Sequence, residues 1–218
     1  MRWFSDIINE YLFAEKDSED SEPLLPYHFR GRNIMNQTQN PSAVRSKQQI
    51  IDALLKLMEE YPYNEISVKQ IVMETDLVRK TFYRNFTSKD DVLNAYINQE
   101  IYEYTQALLE KPEDPLAVIF AFCERNRKLL AILHKNNMLY LLLLRLNEVI
   151  PMINDTTEMQ ENPFKLLIGD LEPDYLIAFN VGAIWNVIFK WVERGMTEPL
   201  EDVKAVLGRY IERLQPLK

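Results

Sequence analysis

Residues 67–91 read SVKQIVMETDLVRKTFYRNFTSKDD, and their spacing predicts a helix, a tight turn, a second helix and the start of a third. Ser67 followed three residues later by Gln70 is a capping-box pattern, in which two side chains satisfy backbone N–H groups that the first helical turn leaves open. The helix begun there presents Val68, Ile71 and Val72 to a core, and Thr75 and Asp76 interrupt it. From Leu77 the spacing of Leu77, Phe82 and Phe86 turns the rings inward and leaves Arg79, Lys80, Thr81, Tyr83 and Asn85 to point elsewhere.

Between positions 79 and 89 lie four basic residues (Arg79, Lys80, Arg84, Lys89) and no acidic one, in a chain of net charge -8. A local reversal of that kind on a short helix is the electrostatic footprint of a nucleic-acid partner. Arg79 and Lys80 can donate to guanine O6 and N7, Thr81 can meet a thymine methyl or a phosphate, and Tyr83 offers a hydroxyl to phosphate. Ser88 is the expected N-cap of the next helix. Lys89 then sits in its first turn beside unbonded N–H groups, where it would clamp a phosphate.

The run TFYRNFTSKDDVL at 81–93, preceded by ISVKQI and by a basic amphipathic helix from Arg45 to Glu60, resembles the N-terminal DNA-binding domain of the TetR/AcrR family of transcriptional regulators. The resemblance covers roughly residues 43–96, and its specific core is Thr81, Phe82, Tyr83, Phe86 and Lys89. It implies an all-α fold: an N-terminal three-helix helix-turn-helix domain and a larger C-terminal helical bundle. It also implies a homodimer that binds a double-stranded DNA operator and responds to a small-molecule effector. The candidate DNA-binding residues are Ser67, Lys69, Arg79, Lys80, Thr81, Tyr83, Arg84, Asn85 and Lys89. Three positions depart from the family pattern. Asp76 stands where glycine is common in the turn, Val78 where a capping serine is usual, and Lys80 where a small residue is frequent. Asp tolerates a left-handed backbone, so the turn is expected to survive at Asp76. Lys80 adds a long cation at a groove-facing position.

The chain divides on these signals into an extension (1–40), a helix-turn-helix domain (41–90) and a helical ligand-binding and dimerisation domain (91–218). Residues 1–13 could form a short amphipathic helix, followed by the acidic run EKDSEDSE. This segment lacks the uncharged stretch of a signal peptide. It is expected to be disordered or to lie upstream of a true start at Met35. Asn40 is a plausible N-cap with Pro41 at the first helical position, and Ile50, Ile51, Leu54, Leu55, Leu57, Met58 and Tyr61 form a broad apolar stripe. Residues 41–96 carry eight basic and eight acidic residues, against 13 and 18 in 97–218. The net acidity therefore lies outside the DNA-facing module.

Further on, a helix is expected from Asp91 to Leu109, broken by Lys111-Pro112-Glu113-Asp114-Pro115. Helices follow over Leu116–His134, Met138–Ile150, Asn162–Leu171, Asp174–Gly195 and Pro199–Leu214. Strand-like alternation persists nowhere. The apolar run from Tyr175 to Trp191 is interrupted by Asn180, Asn186 and Lys190, which disfavours membrane insertion. Tyr102, Tyr104, Phe120, Phe122, Met138, Tyr140, Trp185 and Phe189 are candidates to line an apolar ligand pocket; for any single one of them ordinary core is the better reading. By resemblance the last two long helices form the dimer, which makes Gly182, Asn186, Lys190, Val203, Leu207 and Tyr210 interface candidates. The single cysteine, Cys123, excludes an internal disulfide and suits the cytoplasm. No cofactor or metal is expected, since His28 and His134 do not cluster with it. No motif pairs a nucleophile with a base or builds a phosphate loop, so an enzyme is not expected. A protein of another class, an adaptor or co-regulator of the same fold working through protein contacts, is the competing reading.

Overall fold

The computed structural model describes residues 41–154 and 172–214. Among them the elements are α1 (Pro41–Glu60), a 3-10 turn (Tyr63–Glu65), α2 (Val68–Met73), α3 (Arg79–Asn85), α4 (Lys89–Glu110), α5 (Pro115–Arg125), α6 (Arg127–Lys135), α7 (Tyr140–Asn154), α8 (Pro173–Glu193) and α9 (Leu200–Leu214). No strand occurs among the described residues, and the fold is all-α. The expected segments 1–40 and Asn162–Leu171 lie outside these residues, as does the Asn40 cap.

The chain forms two compact units. The described part of the first comprises 41–54 and 67–95. Its core is Ile50, Ile51 and Leu54 of α1, Ile71 of α2, Phe82 of α3, Phe86, and Val92 and Leu93 of α4, all buried.

The described part of the second unit comprises 55–66, 96–154 and 172–214. Within it α8 packs against α6, α7 and α9, and α9 also meets α5. Its interior is aromatic: Trp185 lies 5.6 Å from Phe122, 6.2 Å from Tyr104 and 6.1 Å from Phe189, centroid to centroid. The Tyr104–Phe122 pair closes the cluster at 5.5 Å. Its tilted and edge-on geometry is the arrangement that ring quadrupoles favour. Buried Glu100 of α4 meets Arg125 of α5 at 3.2 Å. At the end of α6, the Asn136 side chain makes three hydrogen bonds to backbone: its amide nitrogen donates to the carbonyls of Met58 (3.2 Å) and Ile132 (2.9 Å), and its oxygen accepts from the N–H of Tyr63 (2.8 Å). Lys128 adds an ion pair to Glu59 at 2.6 Å, and Lys135 donates to the Glu59 carbonyl.

Helix boundaries differ from expectation where local backbone chemistry outweighs periodicity. The helix expected over Leu116–His134 is broken at Asn126, which leaves helical geometry (φ -103, ψ 19) although the apolar spacing runs straight through. Asp114 caps α5 by accepting from the Ala117 N–H, with Pro115 in the first turn. Met138 starts no helix. Asn136 and Asn137 instead end α6 in a Schellman motif, with Asn137 at φ 57, its N–H on the His134 carbonyl and the Met138 N–H on that of Leu133. Gly195 (φ 76) ends α8 the same way, two residues past Glu193. α7 continues through Pro151 to Asn154, beyond the expected end at Ile150. Tyr61, expected on the buried stripe of α1, lies past the helix end and is exposed.

Asn136→Ala removes three hydrogen bonds, each worth on the order of 1 kcal/mol net. Chemical denaturation should therefore show a loss of about 1–3 kcal/mol, larger than for an exposed neighbour such as Lys135→Ala.

Candidate DNA interface

Helices α2 and α3 are short, so side chains at their ends and in their turn set their geometry. The capping box at Ser67 is fully formed: its hydroxyl accepts from the Gln70 N–H at 3.3 Å and donates to Gln70 Oε1 at 2.7 Å, while the Ser67 N–H donates to the same oxygen at 2.9 Å. The expected left-handed turn at Asp76 is absent, because φ is positive at no non-glycine residue of this segment. Thr75 holds the turn instead. Its hydroxyl donates to the Val72 carbonyl at 2.9 Å and accepts from the Leu77 N–H at 3.2 Å. A threonine in a short polar turn signals such a bond, and that signal was available in the sequence.

α3 begins at Val78, which has extended backbone (φ -87, ψ 151), makes no side-chain cap and is 68% exposed. The helix is held from below. Phe82 is fully buried, with its ring 6.3 Å from that of Phe86. With Phe82 inward, Arg79, Lys80, Tyr83 and Arg84 are all exposed, on the opposite side of the helix. Arg79 Nη2 donates to the Tyr83 hydroxyl at 3.2 Å, and the guanidinium lies 5.5 Å from the Tyr83 ring centroid. Thr81 and Asn85 are half-buried, and the Asn85 amide donates to the Thr81 carbonyl at 2.7 Å. On α2, Lys69 is exposed.

α4 starts with a reciprocal cap that extends the Ser88 expectation. The Asp91 N–H donates to Ser88 Oγ at 3.1 Å, and the Asp91 carboxylate accepts from the Thr87 N–H at 2.8 Å and from the Thr87 hydroxyl at 3.1 Å. Half-buried Lys89 occupies the first helical position. Asp91 also faces Lys47 of α1. Burial pulls the Lys47 pKa below the usual lysine value, and the Asp91 charge works against that fall. Lys47 was not among the residues expected here.

The aromatic residues expected at a ligand site fall into different settings. Phe122 and Trp185 are in the ring cluster with Phe189, and Phe120 is buried. Tyr102 is half-buried, Met138 sits in the turn before α7, and Tyr140 is 54% exposed, away from any core position. Burial pushes the Cys123 thiol up to about 12, which keeps it protonated and unreactive at neutral pH. Among the described residues no three His, Cys, Asp or Glu side chains are placed to hold a metal ion.

Comparison with known proteins agrees with this geometry. Residues 50–96 match the model of bacterial regulatory proteins of the tetR family. The fold is similar to the dihydroxyacetone kinase operon activator DhaS, with a TM-score of 0.58 and 18% identity over 79% of this chain and 97% of that one. It is also similar to the fatty acid degradation regulator FadR from Bacillus halodurans, with a TM-score of 0.53 and 19% identity over 83% and 97%. No curated protein matches the sequence.

Replacing an uncapped valine at a helix start by serine typically gains about 0.5–2 kcal/mol. Val78→Ser should accordingly raise the thermal midpoint of unfolding, and a lowered midpoint would show that the valine has a packing role its exposure does not reveal. A buried aromatic pair beneath a cationic face thus lies on the segment, residues 50–96, that is similar to the tetR family of bacterial regulatory proteins.

Proposed function

We propose that the protein is a homodimeric, cytoplasmic, sequence-specific repressor whose affinity for a DNA operator is lowered by a small molecule bound in the C-terminal helices. The observation that carries the reading is the α3 face, where Arg79, Lys80, Tyr83 and Arg84 stand exposed over a helix anchored by Phe82. A helix displaying cations and a hydroxyl in this way suits the major groove, with side chains near its N-terminal end against base edges and others on phosphate.

The dimer reading rests on α8 and α9. On α8, Tyr175 (80% exposed), Phe179 (57%), Gly182 and Asn186 follow one another at helical spacing along one side, and Val206 of α9 is also exposed. Large aromatic groups left open on one helix face mark an association surface. Leu207, an expected interface residue, is instead buried within its own unit, so Val206 replaces it in the proposal. Lys190 pairs with Glu193 at 2.8 Å, Val203 is half-buried, and the Tyr210 side chain lies outside the described residues. α8 is long and apolar enough by composition to cross a membrane. Its inner side packs into the second unit through Ile177, Val181, Ile184, Trp185 and Ile188, as a core helix of a soluble protein does.

An effector that parts the rings around Trp185 would favour one dimer geometry over another. It would weaken operator binding only to the extent that it binds the two geometries differently. The sign of regulation can differ between proteins of this fold, as the name of DhaS, an operon activator, illustrates for that protein.

Selection of duplexes from a random library by the full chain tests the central reading. The expected product is an inverted repeat with half-site centres about one helical turn apart, on the order of 34–36 Å. A reporter with that repeat overlapping its promoter should lose expression when the protein is present; a gain would make it an activator. Enrichment of no sequence would favour the adaptor reading. For the dimer, Phe179→Glu and Gly182→Leu should each weaken association at least tenfold, about 1.4 kcal/mol, as read by sedimentation. A side chain added at Gly182 meets nothing within 4 Å in its own chain, so the variant should fold. An unchanged dimer for both would overturn the interface.

A further inference from the structure

The contact between Arg79 and Tyr83 gives Tyr83 a task beyond touching phosphate. Both residues are exposed on the outer face of α3, one helical turn apart. The Tyr83 ring meets the fully buried Phe82 edge-on, with centroids 5.4 Å apart and planes at 81°. The hydroxyl accepts from Arg79 Nη2 at 3.2 Å, and the guanidinium carbon sits 5.5 Å from the ring centroid. Two forces of different kinds, a hydrogen bond and a cation–π attraction, thus act on one side chain that would otherwise sample many rotamers. Of the five guanidinium N–H groups, the bond to Tyr83 occupies one and leaves a fork for a pair of acceptors such as guanine O6 and N7.

We propose that Tyr83 is a positioning residue for base reading: it holds the Arg79 guanidinium in one orientation, so preference for the base facing Arg79 depends on a residue that does not itself touch that base. This rests on the DNA-binding reading above. Ordering a rotamer-rich side chain before binding spares that ordering during binding, and the spared cost amounts to roughly two- to tenfold in discrimination.

The test measures the full-length wild type and the variants Arg79→Ala, Tyr83→Phe and Tyr83→Leu on the duplex that the wild type selects from a random library, and on every single-base-pair change of it. Arg79→Ala should abolish preference at one symmetric pair of positions. Tyr83→Phe keeps the ring and loses the hydroxyl. It should reduce preference by roughly two- to tenfold at that same pair and nowhere else, with an unchanged salt slope because the Arg79 charge remains. Tyr83→Leu, which removes the ring as well, should reduce it further. Equal weakening on all duplexes by Tyr83→Phe would mean that the hydroxyl serves phosphate alone and would overturn the inference, as would unchanged discrimination. A wild type that enriches no duplex would overturn the DNA-binding reading and this inference with it, whereas a discriminating wild type with an equally discriminating Tyr83→Phe overturns the inference alone.

Discussion

A helix of seven residues cannot hold itself together in water, because nucleation costs more than so few backbone bonds return. α3 is such a helix, and its first turn has no side-chain cap. What remains to fix it is the burial of Phe82, completely removed from solvent beside Phe86. Burying a phenylalanine stabilises by roughly 1.5–3 kcal/mol, enough to outweigh a missing cap of about 1 kcal/mol. Every outward feature of the proposed DNA face depends on that anchor. The direction of the Phe82 side chain sets the directions of Arg79, Lys80, Tyr83 and Arg84, since a helix leaves no freedom to choose them separately.

Around this anchor the shorter bonds divide the remaining work. The Ser67–Gln70 box starts α2, Thr75 sets the turn after it, and the Ser88, Thr87 and Asp91 cap starts α4. These are local devices, each closing orphaned backbone groups that would otherwise face water or a competing conformation. In the second unit the corresponding task falls to Asn136, which fastens Met58 and Tyr63 to the end of α6, and to the rings around Trp185. The first unit thus uses polar clips on a small core, and the second an aromatic cluster together with polar contacts such as those of Asn136.

Legibility from sequence followed the range of the interactions. The helix-turn-helix could be read because its signals are local: a serine with glutamine three residues on, two phenylalanines at helical spacing, and a run of cations. The structure returns the Ser67 box and the Phe82 and Phe86 burial as those residues imply. The family pattern misled at Asp76, where a side-chain bond from Thr75 makes a left-handed residue unnecessary. Asn126 and the end of α6 were missed because apolar periodicity is blind to the backbone angles of single polar residues. In the C-terminal helices, composition could name aromatic residues but could not separate buried Phe122 and Trp185 from exposed Tyr140, Tyr175 and Phe179, because that distinction arises only when helices distant in sequence pack. The Arg79–Tyr83 contact was within reach as an (i, i+4) pair, yet its two members were read as separate contacts rather than as one unit.

Whether α3 lies in the major groove, as proposed, is decided by methylation interference on the selected duplex. Dimethyl sulfate marks guanine N7 in the major groove and adenine N3 in the minor groove, so a single experiment distinguishes the two. With α3 in the major groove, methylated guanines should block binding in two clusters on one side of the duplex, about one helical turn apart. Interference from adenines alone, or from no base at all, would contradict it.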